Sequence, residues 1–114
     1  MVNKGDVVLV YFPFSNDPRQ TKPRPAVILW VSQTGEDVTF CAITSQNMGQ
    51  LFPEDIPIIP EDPEFVGTGL RVPSKIRTTR IATLTKKDVI KRFGKLGENQ
   101  IRILNEKMIE MFQL

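Results

Sequence analysis

Ala26-Val27-Ile28-Leu29-Trp30-Val31, the polar run Ser32-Gln33-Thr34-Gly35-Glu36-Asp37, and Val38-Thr39-Phe40-Cys41-Ala42-Ile43 decide the class of fold. Two segments rich in β-branched and aromatic residues flank a glycine-containing polar turn, which is the pattern of two strands joined by a hairpin. Upstream, Asp6-Val7-Val8-Leu9-Val10-Tyr11-Phe12 has the same character and stops at Pro13. It reads as a strand with both faces largely covered. The three runs form a meander. Between the first two lies a proline-rich polar loop, Phe14 to Pro25, about a dozen residues long, a length that often signals function in a compact domain.

Beyond the third strand, Leu51 to Phe65 contains the near-repeat Pro53-Glu54-Asp55 and Pro60-Glu61-Asp62 around Ile56-Pro57-Ile58-Ile59. A proline confines that apolar run to a sheet edge, and the flanking acids read as solvent-facing groups that discourage edge-to-edge pairing. Gly67-Thr68-Gly69 marks a tight turn, and Leu70 to Leu84 forms two short extended pieces around Pro73. The pattern then turns helical. Thr85-Lys86-Lys87-Asp88 has the form of a capping box, which predicts a short helix ending near Gly94. Glu98 to Phe112 predicts a longer helix, with Ile101, Leu104, Met108, Met111 and Phe112 on one face. The expected architecture is mainly β with C-terminal helices: one domain over residues 1–114, a small, strongly bent antiparallel sheet closed by helices.

The formal net charge of +2 hides an asymmetry. Residues 50–66 carry five acids and no base, whereas residues 67–114 carry eleven bases and four acids. Such a basic half points to a polyanionic partner, although a solvated helix surface shares the same signature. No run approaches the roughly 20 apolar residues of a membrane span and no signal peptide is visible, so a cytoplasmic protein is expected. Cys41 is the single cysteine and reads as a buried strand thiol.

The sequence contains no histidine. Ser-His-Asp and Cys-His relays, histidine zinc sites and histidine pairs for RNA cleavage are therefore excluded, and no glycine-rich phosphate loop precedes a helix. No metal site or cofactor is expected. Among reactions left to arginine, lysine, hydroxyls and backbone amides is RNA strand cleavage by the substrate's own 2′-hydroxyl. The protein then needs only to align the strand and stabilise charge at phosphorus, a task suited to arginine's planar fork.

Three stretches, in order, resemble the MazF/PemK family of toxin–antitoxin ribonucleases: Gly5-Asp6-Val7-Val8-Leu9-Val10-Tyr11-Phe12, Arg24-Pro25-Ala26-Val27-Ile28-Leu29, and Ala42-Ile43-Thr44-Ser45. Gly69-Leu70, Pro73-Ser74, Ile76-Arg77-Thr78 and the terminal helices follow the same layout. The resemblance implies an SH3-like small barrel, a homodimer, and sequence-selective cleavage of single-stranded RNA that leaves a cyclic phosphate. It also implies a cognate small acidic antitoxin of the MazE/PemI kind, with DNA bound only through the toxin–antitoxin complex. By the same resemblance, Arg24 and Thr44 are the catalytic candidates: Arg24 stabilises the transition state, with a part in proton transfer left open, and Thr44 bonds the scissile phosphate or orients the 2′-hydroxyl. Ser45 and Arg77 follow as substrate-binding candidates, while Lys22 and Arg19 are phosphate contacts by charge.

Taken singly, these residues also have plain readings. An arginine before proline is often a surface charge, a threonine ending a strand often makes a turn bond, and Arg77 can pair with an acid. Two other functions remain open: a non-catalytic toxin of related fold, of the gyrase-poisoning kind, and a nucleic-acid-binding module without cleavage.

Overall fold

A computed structural model of the chain describes residues 2–11 and 22–114. Among these residues six strands, β1 (Asp6–Val10), β2 (Arg24–Val31), β3 (Asp37–Thr44), β4 (Asp55–Ile58), β5 (Ser74–Thr85) and β6 (Val89–Lys95), precede one α-helix, α1 (Glu98–Phe112). They form one sheet in the order β4-β5-β3-β2-β1-β6, and every described ladder is antiparallel. The mainly-β reading holds. The sheet is open, with β4 and β6 at its edges, rather than a closed barrel.

Both edges show why closure does not occur. The four-residue β4 is short, and its exposed Pro57 has no N–H to offer a further strand. At the other edge, β6 is covered by the 3-10 turn Val66–Thr68 instead of a strand. Gly69 ends that turn in the left-handed region at φ 75°, and Gly94 of β6 faces it; a Cβ on either would run into the other segment's backbone.

Alternating side chains cover both sheet faces. Val7, Val27, Cys41, Ile43 and Ile76 pack with Phe65, Leu96 and Leu104 of α1. On the other face Val8, Val10, Ala26, Ile28, Val38, Phe40 and Ala42 form a second cluster. The helix turns Leu104 fully inward and packs Ile101 and Met108 beside it, whereas Phe112 lies 43% exposed.

The expected short helix after Thr85 is a strand. Its capping box exists, with the Asp88 carboxylate accepting from the Thr85 amide at 2.8 Å, but it caps only the 3-10 turn Lys86–Asp88. Val89 then pairs with Val10, and the chain continues extended along β1. A free strand edge outweighs a weak local propensity. The two extended pieces expected around Pro73 are one long strand beyond it, bent where Cys41 pairs Ile81 and the next residue, Ala42, pairs Arg77. Thr78, Thr79 and Arg80 are thus an insertion in β5 without partners in β3. The insertion stays satisfied locally: the Thr78 hydroxyl donates to the Glu54 carbonyl at 2.7 Å, and the Cys41 thiol donates to the Arg77 carbonyl at 3.0 Å.

The acidic segment also differs from expectation. Asp55 is buried at 5% exposure, not solvent-facing. Glu64 accepts from the Asn99 and Gln100 amides at 3.2 and 2.9 Å, and Asp62 accepts from the Gln100 side chain at 3.3 Å. These acids satisfy the open N–H groups and positive end of α1.

Candidate functional site

The functional candidates assemble at one end of β2, β3 and β5. Arg24 opens β2 opposite Val10 of β1. Pro25 follows it, and the residue before a proline is held extended, so the guanidinium leaves from a fixed backbone. The β2–β3 register pairs Ala26 with Ala42, each two residues from Arg24 and Thr44 respectively. On the other side of β3, Thr44 pairs with Lys75 and Ala42 with Arg77. With period-2 alternation, Arg24, Thr44, Lys75 and Arg77 share the sheet face of Ala26 and Ala42. The apolar cluster of that face gives way to charge at its end.

These residues line a cavity of about 260 Å³ together with Pro25, Ile43, Ser45, Gln46, Asn47 and Arg80. Among the described residues the lining contains four basic side chains and no carboxylate. Such a concentration of positive charge in a partly enclosed space raises the local potential and favours a polyanion.

Beneath the lining is a buried ion network. Asp55 contributes a fully buried carboxylate, 3.4 Å from the Lys75 ammonium and 3.4 Å from Nε of Arg77. Its Oδ2 also accepts from the Phe52 amide at 3.0 Å. Lys75 donates to the carbonyls of Asn47 and Gln50 at 3.1 and 2.8 Å. The guanidinium of Arg77 keeps 28% of its side chain exposed and sits 6.0 Å from the Phe52 ring centroid, within cation–π range.

Thr44 makes the turn bond expected of a strand-ending threonine: its Oγ1 accepts from the Gln46 amide at 3.1 Å. That bond uses an acceptor position. A hydroxyl has one donor and two acceptor sites, so this bond does not use the O–H. The structural and chemical readings of Thr44 are compatible.

Of the sequence candidates, Arg24, Thr44, Ser45 and Arg77 come together at the cavity. Lys22 is exposed and not among the lining residues. Arg19 and most of the loop Phe14 to Pro25 lie outside the described residues. The acid beside Arg77 within the chain is Asp55. Sequence reasoning missed Lys75, Arg80, Gln46, Asn47 and Asp55. Alternation in Ser74-Lys75-Ile76-Arg77 carried a signal for Lys75, which must share a face with Arg77, but nothing local foretold the insertion that brings Arg80 in.

Among the described residues no three His, Cys, Asp or Glu side chains cluster to hold a metal ion, and no helix is long and apolar enough to cross a membrane. Burial pushes the Cys41 thiol up to about 12, so it has no nucleophilic role at neutral pH.

A search of curated proteins finds no match to the sequence. Solved structures do share the fold. An endoribonuclease from a mycobacterial species, solved in complex with its cognate antitoxin, superimposes with a TM-score of 0.73 at 16% identity, covering 100% of this chain and 97% of that one. The Mycobacterium tuberculosis toxin MazF-mt6 matches with a TM-score of 0.72 at 20% identity, over 96% and 97% of the two chains. MazF from Deinococcus radiodurans gives 0.73 at 14% identity, over 99% and 97%. At these identities the likeness establishes the fold alone. The family model of PemK-like, MazF-like toxins of type II toxin–antitoxin systems matches residues 3–112, nearly the whole chain, and the protein therefore belongs to that family.

Proposed function

We propose that the protein is the endoribonuclease toxin of a type II toxin–antitoxin system, acting in the cytoplasm on single-stranded RNA and arresting growth through sequence-selective, metal-independent cleavage. The observation that carries this reading is the meeting of Arg24 and Thr44 in one cavity with a basic lining.

In the proposed reaction the 2′-oxygen attacks the adjacent phosphorus, its proton leaves, and the bond from phosphorus to the 5′-oxygen breaks. A 2′,3′-cyclic phosphate and a 5′-hydroxyl result. A guanidinium stays charged in proteins, so Arg24 acts by stabilising the negative charge that builds on the phosphoryl oxygens. The Thr44 hydroxyl donates to one of those oxygens. Stabilisation of this kind is commonly the largest single contribution to catalysis. Arg77, Arg80 and the exposed Lys22 hold neighbouring phosphates, which position the strand without reading its bases, and Ser45 adds a hydroxyl at the rim. The four basic side chains of the lining support chemistry carried by the protein's own cations.

The toxin would work as a homodimer and be held by a small acidic antitoxin, with DNA engaged only by the complex. The mycobacterial structure solved with its cognate antitoxin supports such a partner. The test is cleavage of a labelled single-stranded RNA in excess chelator. Wild-type protein should cut, and Arg24→Ala should lose about 10²–10³-fold in rate while keeping its thermal melt. Activity that vanishes in chelator overturns metal independence, and full activity in the variant overturns the role of Arg24. RNA left intact by the wild type would favour a non-catalytic toxin.

A further inference from the structure

We propose that Lys75 is a positioning residue for the Thr44 hydroxyl, acting through the turn that follows β3, with Asp55 as its buried counter-ion. This inference rests on the ribonuclease reading of the same cavity.

Lys75 lines the cavity yet is only 2% exposed, unusual for a lysine. An ammonium has three N–H donors. Two reach the carbonyls of Asn47 and Gln50 at 3.1 and 2.8 Å, and the Asp55 carboxylate lies 3.4 Å from the same nitrogen. All three directions are engaged inside the protein, so Lys75 contributes charge to the cavity without being a direct phosphate ligand. What it holds is the backbone of residues 47–50.

That backbone governs Thr44. Within the turn the Gln50 amide donates to the Asn47 carbonyl at 3.0 Å, the same oxygen that Lys75 grips. Asn47 is in the left-handed region at φ 55°, which Asn enters more readily than other residues with a side chain and which turns the chain tightly here. One residue earlier, the Gln46 amide donates to Thr44 Oγ1 at 3.1 Å and so holds the hydroxyl oxygen in place. Releasing the Asn47 and Gln50 carbonyls would let the turn relax, swing the Gln46 amide and leave the hydroxyl without a fixed place. Asp55 keeps the device in place. Its Oδ2 faces Lys75 while accepting from Phe52, and its Oδ1 lies 3.4 Å from Arg77 Nε.

The experiment compares Lys75→Met, Thr44→Val and the double variant by single-turnover cleavage, with binding measured on an uncleavable 2′-O-methyl strand. Lys75→Met should lower the cleavage rate by about 10²-fold, the scale of a misplaced catalytic group, while its affinity for the strand stays near that of wild type. In the Thr44→Val background the same substitution should cost nothing further, because residues acting as one unit are not additive. An affinity loss as large as the rate loss would make Lys75 a phosphate ligand, and an undiminished rate loss in the Thr44→Val background would make its role merely structural. Either result overturns the proposal.

Removing one member of a buried pair can unfold a protein. Asp55→Asn combined with Lys75→Met, which leaves no charge of that pair buried alone, gives a second measurement with the same expected rate loss. Amide hydrogen exchange at Gln46 and Gln50 is read on the same proteins and needs no cutting. Exchange should quicken at both positions in Lys75→Met, and unchanged exchange overturns the proposal by itself. Wild-type protein that leaves RNA intact while Lys75→Met speeds exchange overturns the ribonuclease reading and the role of Thr44 with it, and shows Lys75 holding the turn.

Discussion

Replacing Arg80 by glutamine removes one positive charge from the cavity rim and keeps a polar side chain of similar reach. Arg80 is exposed and lies in the unpaired insertion of β5, so the change disturbs no sheet bond of the β3–β5 ladder. The size of the effect follows from how many cations face the strand. Arg24, Arg77 and Arg80 line the cavity, whereas the donors of Lys75 are directed to the Asn47–Gln50 turn and Asp55. If each arginine neutralises one phosphate, the logarithm of affinity for single-stranded RNA falls with the logarithm of salt at a slope of about −2.1, against about −1.4 in Arg80→Gln. Between 50 and 200 mM salt the wild type then loses about 18-fold in affinity and the variant about 7-fold. Lys22 and Arg19 add the same increment to both proteins, so the diagnostic quantity is the difference of about 0.7 in slope. Fluorescence anisotropy with an uncleavable 2′-O-methyl strand across a potassium chloride series measures it. Parallel slopes for the two proteins would show that Arg80 meets no phosphate and would refute the placement of the strand along this cavity.

Three further outcomes follow from the packing. Leu104→Ala empties a fully buried site between α1 and the sheet and should cost about 2–5 kcal/mol in urea unfolding; a loss below about 1 kcal/mol would mean α1 contributes little to the core. Glu64→Ala strips the Asn99 and Gln100 amides of their acceptor and should cost about 1 kcal/mol, visible as a lower melting temperature, whereas an unchanged melt would return the acidic segment to a purely solubilising role. Cys41, buried and pushed up from 9.0 to about 12, should resist alkylation at pH 8 until the protein unfolds. Because the unfolded thiol ionises first, stability is unaffected below pH 9 and declines as pH rises from there toward 12, by about 1.4 kcal/mol per unit at most; native labelling at the rate of a free thiol would contradict the burial.

Much of the fold was legible because it rests on short-range pattern. The β-branched runs at 6–12, 26–31 and 38–43 correspond to β1, β2 and β3, Pro57 correctly marks an edge strand, and the apolar spacing of 98–112 matches the bounds of α1. The error at 85–94 has a clear cause. Thr85 and Asp88 do form their capping box, but a cap initiates only a turn unless a helix gains more from packing than a strand does. Here the open edge of β1 offered a ladder to Val89–Lys95.

The candidate site divides in the same way. Arg24, Thr44, Ser45 and Arg77 were readable because each belongs to a short motif at a strand end, and no histidine in the sequence narrows the chemistry available to them. That Arg24 and Thr44 line one cavity depends on the β2–β3 register, which alternation constrains but only the assembled sheet sets. Asp55 looked like one more solvated acid beside a proline. It became a buried counter-ion because β4 pairs it with Arg77 on the far side of β5 from Thr44. Arg80 reaches the cavity through an insertion that no local rule announces, and Lys75 reaches the turn at 47–50 across a long stretch of sequence. The sequence by itself determined which residue types were available and which strands carry them. Tertiary structure alone decided which charges are buried, which face the cavity and which hold the others in place, because those outcomes depend on register and burial between segments far apart in the chain.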